Sequence, residues 1–243
     1  MIEIGCYNTL EIHKFTPQGA YLSDGNESVL LPKKYLDSNW KEGEELKVFI
    51  YLDSEDRMVA TTETPHMQRD EFACLEVVQT TPFGAFMDWG LSKDILVPLA
   101  EQFQDMRVGE KHLVYLYFDY ESQRLVASAK IHDFTEEPDE DISEKEEVDI
   151  VVWRQTDLGY QALIKGKYLG MIYDNEIYQP IRLNQHMKAY VQTIRPDGKI
   201  DLRLQRSGYV TIDENAKKIL QILSENKGFL PFTDKSDPVE IKH

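Results

Sequence analysis

Apolar and polar positions alternate in short runs along this chain, and the runs recur. Three stretches share one pattern around a glycine: KFTPQGAYL (14–22), QTTPFGAFM (79–87) and RQTDLGYQA (154–162), which align Gly19, Gly84 and Gly159. An apolar run follows each, SVLLP (28–32), DILVP (94–98) and YLGMIY (168–173). Longer strand-like segments come next: WKEGEELKVFIYLD (40–53), MRVGEKHLVYLYFD (106–119) and, more loosely, IRLNQHMKAYVQTI (181–194). RMVAT (57–61), RLVAS (124–128) and KIDLR (199–203) close the copies. Three registered copies make an internal repeat. Alternating or β-branched apolar residues between turn residues read as strands, five to a copy. In the second copy these fall at 72–80, 84–89, 94–98, 111–119 and 123–129, with a helical turn near 100–103.

Five strands in about 65 residues are too few for a sandwich and suit a closed or partly open barrel of the OB type. The shared glycine fits, because a long coiled strand must bend there. The expected fold is mainly β: three tandem five-stranded OB-like barrels over 1–65, 66–133 and 148–206, with a short α-helical segment in 207–243. In that tail TIDE (211–214) makes a capping box, Thr211 accepting from a backbone N–H while Glu214 reaches back. Ala216, Ile219, Leu220 and Leu223 form one apolar stripe, with Gly228 beyond its end. A second helix is expected from Asp237, with Pro238 at its first position, and His243 follows too soon to complete it.

Composition narrows the classes. Across 243 residues no apolar run approaches the ~20 residues of a membrane-spanning helix. MIEIGCYNTL lacks a basic stretch followed by an apolar one, so no signal peptide is expected and the chain reads as cytoplasmic. Cys6 and Cys74 lie far apart without a CxxC, which argues for buried thiols over a disulfide framework or zinc ribbon. The net charge of −16 argues against a protein that clamps nucleic acid over its whole surface. Counted by segment, the net charge is −6 over 1–65, −5 over 66–133, −7 over 134–147, +3 over 148–206 and −1 over 207–243. The acidic 134–147 stretch, FTEEPDEDISEKEE, reads as a solvated linker; shielding of the basic segment by RNA mimicry is the alternative. The six histidines fall in no metal-ligand spacing, and HExxH, P-loop, GxSxG and GxGxxG are absent. A non-enzyme without metal or cofactor is expected.

FGAFMDWG, followed by DILVP and VGEKHLVYLYFDYESQRLVAS, resembles the S1 RNA-binding domain. Three tandem copies before a helical tail resemble the conserved virulence factor B family, whose members are three such barrels plus a winged helix. The tail would then be a partial, truncated winged helix. The resemblance implies a face on which single-stranded nucleic acid stacks its bases on aromatics and meets Lys or Arg with its phosphates. In the S1 pattern aromatics flank the bend and a basic residue begins the last strand. In the second copy those positions are Phe83, Phe86 and Arg124, with Lys130 further on. The first copy has Tyr21 and Arg57, with Gln18 where Phe83 sits. The third offers Arg154, Tyr160, Lys165, Lys167, Tyr168, Tyr173 and Lys199. The histidine usual after the third strand of an S1 domain is replaced by Pro32, Pro98 and Tyr173.

The expected function is a non-catalytic RNA-binding regulator of gene expression that takes single strands, with affinity mainly in the basic C-terminal part. The alternative is an interaction module whose acidic barrels dock on a basic partner such as the ribosome or RNA polymerase. DNA binding through the helical tail is a weaker third reading.

Overall fold

The computed structural model describes residues 1–205 and 220–224. The first unit contains β1 (Tyr7–Thr16), β2 (Gly19–Ser23), β3 (Ser28–Pro32), β4 (Glu45–Leu52) and β5 (Met58–Thr61), closed in the order β1-β2-β3-β5-β4. The second repeats the order with β6 (Phe72–Thr81), β7 (Gly84–Asp88), β8 (Ile95–Pro98), β9 (Lys111–Asp119) and β10 (Arg124–Ser128). The third is a closed barrel of β11 (Glu147–Thr156), β12 (Gly159–Ile164), β13 (Tyr168–Tyr173), β14 (His186–Ile194) and β15 (Ile200–Arg203). The fold is mainly β with three five-stranded barrels, as the repeat predicts, though the middle one is only a half-barrel.

The difference lies in the closing pair. The third and fifth strands of the first and third units pair in parallel. One residue pair, Leu30–Val59, joins β3 to β5, and three pairs join β13 to β15. The middle unit has no such ladder between β8 and β10, and its sheet order is β10-β9-β6-β7-β8. The gap is backed by the first barrel, whose buried Phe49, Tyr51 and Val59 join the same core cluster as Trp89, Leu91 and Leu125. Phe49 meets the Trp89 ring edge-on at 5.7 Å, a favourable aromatic geometry. β8 and β10 still lie side by side without a ladder between them, and the first barrel packs its apolar residues into the same core.

The glycine of the repeat does more than bend a strand. A Cβ at Gly19, Gly84 or Gly159 would stand 2.0, 2.2 or 2.1 Å from the carbonyl oxygen of Leu31, Val97 or Ile172. The turn before it is tied by a threonine three residues back: Thr16, Thr81 and Thr156 donate to the glycine carbonyl at 2.9, 3.1 and 3.1 Å. The first residue after the third strand then donates its backbone N–H to the turn tip, Lys33 to Gln18, Leu99 to Phe83 and Asp174 to Leu158. This clamp holds the tip side chain at 83 clear of the barrel. Each first strand also slips register one turn earlier, at His13, Val78 and Trp153, a bulge that re-aims one side chain.

The acidic stretch is mostly exposed, as a solvated linker would be, but it also docks on the third barrel. It runs as turns against the third barrel, buries Ile142, and bonds Glu136 N–H to the Lys167 carbonyl at 2.9 Å. Four of its carboxylates meet two lysines of the β12–β13 turn, which repays their crowding and overrides the tendency of like charges to extend. Residues 220–224 are helical, within the helix expected from the apolar stripe. Thr211, Glu214, Ala216, Ile219, Gly228 and Asp237 lie outside the described residues.

Candidate nucleic-acid interface

Two clefts mark the seams between units. The first, about 640 Å³, lies between the first and second units beside the β8–β10 gap. Phe86 and Arg124 both line it, so the structure brings these two together as the S1 pattern implies. Their electrostatic setting does not favour a phosphate. Asp53, Asp56 and Asp94 share the cleft, and Arg124 forms a two-pronged ion pair with Asp56 of the β4–β5 turn. That hydrogen-bonded pairing lowers the Asp56 pKa and raises that of Arg124. The other cation, Lys93, donates to the Leu52 and Asp53 carbonyls at 3.0 and 2.7 Å, and burial lowers its pKa. Phe86 is half-buried, whereas Phe83 at the turn tip is 78% exposed.

The third unit corrects several expectations. Tyr168 cannot stack a base, because it is 0% exposed and donates its hydroxyl to Asp139 at 2.5 Å. Alternation along β13 puts Tyr168, Gly170 and Ile172 on the core side, a signal legible once Ile172 is taken as core. Lys167 lies 2.7, 3.3 and 3.5 Å from Asp139, Glu136 and Asp141. Lys165 lies 2.6 Å from Glu146 and donates to the Asp141 carbonyl at 2.7 Å. The Lys167 hydrogen bond holds the Asp139 carboxyl well below its usual range, and the same bond raises the Lys167 pKa. Lys199 pairs with Asp197 at 2.8 Å, and Tyr173 accepts from Arg195 at 2.8 Å. Two lysines of the segment that is basic by count, Lys165 and Lys167, are thus held by the acidic stretch before it. Tyr160 stays half-buried on β12, and Lys130 makes no ion pair among the described residues.

Arg154 differs. It lies in the second cleft, about 460 Å³, between the second and third units. Its guanidinium stacks 4.3 Å from the Phe103 ring centre and 6.0 Å from that of Trp153, with no carboxylate partner among the described residues. Phe103 and Trp153 meet edge-on at 5.8 Å, and His132 lies roughly parallel to Trp153 at 6.5 Å. Reasoning from S1 positions missed Trp153, Phe103 and His132; the signal was a Trp beside an Arg at the strand bulge. Asn184 closes the floor by donating to the Lys111 carbonyl at 2.6 Å and accepting from the Cys74 thiol at 3.6 Å. Burial pushes the Cys74 pKa up to about 11, which suits a packed and unreactive thiol. No group of three or more His, Cys, Asp or Glu among the described residues is placed to hold a metal.

Residues 4–63 and 71–130 match the S1 domain family, and residues 217–243 match the CvfB-like winged helix domain. S1 domains with a CvfB-like winged helix domain place the chain beside the conserved virulence factor B proteins. Relatives run nearly its full length. Bacillus subtilis YitL is 28% identical, covering 96% of this chain and 81% of its own. Conserved virulence factor B of Staphylococcus epidermidis is 25% identical, over 91% of this chain and 78% of its own; for Staphylococcus aureus MRSA252 the figures are 25%, 85% and 71%. A solved multidomain protein with nucleic acid binding domains from Streptococcus pneumoniae is 22% identical, covers 98% of this chain and 87% of its own, and has a TM-score of 0.49. The S1 domains support nucleic-acid binding. No described helix is long and apolar enough to cross a membrane.

Proposed function

We propose that this protein is a non-catalytic RNA-binding regulator of gene expression that takes single strands, with its affinity mainly in the third unit and at its seam with the second. The observation that carries this reading is the S1 match over two consecutive units, in a chain whose third barrel repeats the same strand order. Stacking needs unpaired bases, so the preference is for single strands. The contrast between clefts supports the location: Arg124 is paired with Asp56, while Arg154 has no acidic partner among the described residues. The name of the staphylococcal relatives, conserved virulence factor B, supports a role in regulating virulence-type genes. The test is a titration of the full chain with labelled single-stranded RNA, duplex RNA and duplex DNA. Tightest binding of the single-stranded RNA is expected, and tighter binding of either duplex overturns the reading.

A second reading has its own observation. The first two units carry net charges of −6 and −5, and three aspartates line the first cleft. Such a surface fits docking on a basic partner, for example the ribosome or RNA polymerase. Under that reading the full chain binds its partner with no single-stranded RNA affinity of its own.

A further inference from the structure

The recess between the second and third units has the chemistry of a nucleotide site. Its 460 Å³ falls within the usual range for small-ligand sites. Aromatic side chains of both units face it: Phe103 from the second, Trp153 from the third, with His132 roughly parallel to the indole. Of its charged residues, Glu110 is the one carboxylate, and it is engaged by the Arg107 N–H at 3.1 Å and by His112 at 3.2 Å. Lys111 and Arg154 also line the recess, and neither forms an ion pair among the described residues. The first cleft is the reverse, with three aspartates against two cations that are already held.

Arg154 is also pre-set. Stacked on Phe103 it has little rotamer freedom left to lose, while the edge of the guanidinium keeps its N–H donors for a two-pronged phosphate contact. The β11 bulge makes this possible. In the first two units the bulged residue, His13 or Val78, faces solvent, whereas in the third Trp153 turns toward the second unit.

We propose that this recess grips one nucleotide of a single strand, its base stacked against Trp153 and its phosphate held by Arg154 and Lys111. The inference rests on the nucleic-acid-binding reading above and places the contact at a seam rather than on a single barrel. It makes the paired second and third units the binding entity.

The test uses the full chain and a fluorescein-labelled uridine 12-mer, read by anisotropy at moderate salt. Arg154→Ala should weaken binding by about tenfold or more, as for loss of a charge-assisted contact. Arg154→Lys should not restore it, because an ammonium lacks the planar fork. Tyr120→Ala, an exposed ring outside both clefts, should bind like the wild type. A second measurement covers the case in which Arg154→Ala disturbs the seam. The 12-mer should quench tryptophan fluorescence in the wild type, and Trp153→Phe should abolish most of that quenching. Uridine 5′-monophosphate should bind far more weakly than the 12-mer; equal affinity overturns the strand assignment. If the wild type binds the 12-mer but Arg154→Ala and Trp153→Phe leave affinity and quenching unchanged, the recess is wrong and the general reading stands. If the wild type binds no nucleic acid, the general reading itself fails.

Discussion

A methyl group at Gly84 would sit 2.2 Å from the Val97 carbonyl oxygen, on a backbone at φ +152° that side chains rarely adopt. Neither problem has a flexible neighbour to relieve it, since the obstructing atom is backbone in a β7–β8 ladder. Gly84→Ala should therefore destabilise the second unit by at least about 1–3 kcal/mol, the usual cost of a backbone held in such a region. A urea midpoint equal to wild type would refute this. The two candidate rings of that unit make different probes. Phe83→Ala removes a ring that is 78% exposed, so folding stability should stay within about 0.5 kcal/mol. Phe86 faces Asp53, Asp56 and Asp94 across the first cleft. These charges repel a phosphate brought beside that ring, so Phe86→Ala should change single-stranded RNA affinity by less than about threefold. A loss near the ~1–3 kcal/mol of a stacked base would return the site to the first cleft.

Elements divide into those legible in the sequence and those that were not. Strands and turns were legible because a period of two, a turn glycine and a threonine three residues before it are local signals, repeated three times. Closure of the barrels was not, since it depends on how β8 approaches β10, which no local pattern encodes, and the core there is shared with another unit. The docking of the acidic stretch was not legible for the same reason. Its charge is local, but its partners Lys165 and Lys167 lie about twenty to thirty residues further on and count as basic until the chain folds back. Its docking has a pH signature. Asp139 has a depressed pKa in the fold, so its contribution is present above the ordinary carboxylate value of about 4 and is lost as pH falls toward its folded value. Lys167 has a raised pKa, so its share is complete below the ordinary lysine value and is lost only in strong base. Asp139→Asn should lower the Tm at neutral pH and flatten the fall in Tm below about pH 4. An unchanged acid limb would mean that other carboxylates set it.

At the scale of the whole molecule the three units are not beads on a string. The first two share a core through Phe49 and Trp89, and the second and third share Leu113, Ile131 and Leu163 with Phe72, Cys74 and Trp153 packed around them. Binding is therefore a property of the joined units, and its salt dependence counts the cations they leave free. Arg154 and Lys111 line the second cleft, and Lys130 carries no ion pair among the described residues. Lys165, Lys167 and Lys199 are each held by a carboxylate. Each phosphate met by a cation on a single strand adds about −0.7 to the slope of log affinity against log salt. Three contacts give a slope of about −2, and five, with Lys165 and Lys167 added, give about −3.5. The full chain should show the shallower value for single-stranded RNA. A fragment starting at residue 148 lacks Glu136, Asp139, Asp141 and Glu146 but also Lys111 and Lys130, so it exchanges two free cations for Lys165 and Lys167 and its slope should stay at about −2. A slope of about −3.5 for the full chain would mean that RNA displaces the acidic stretch on binding, and that Lys165 and Lys167 beneath it belong to the site after all.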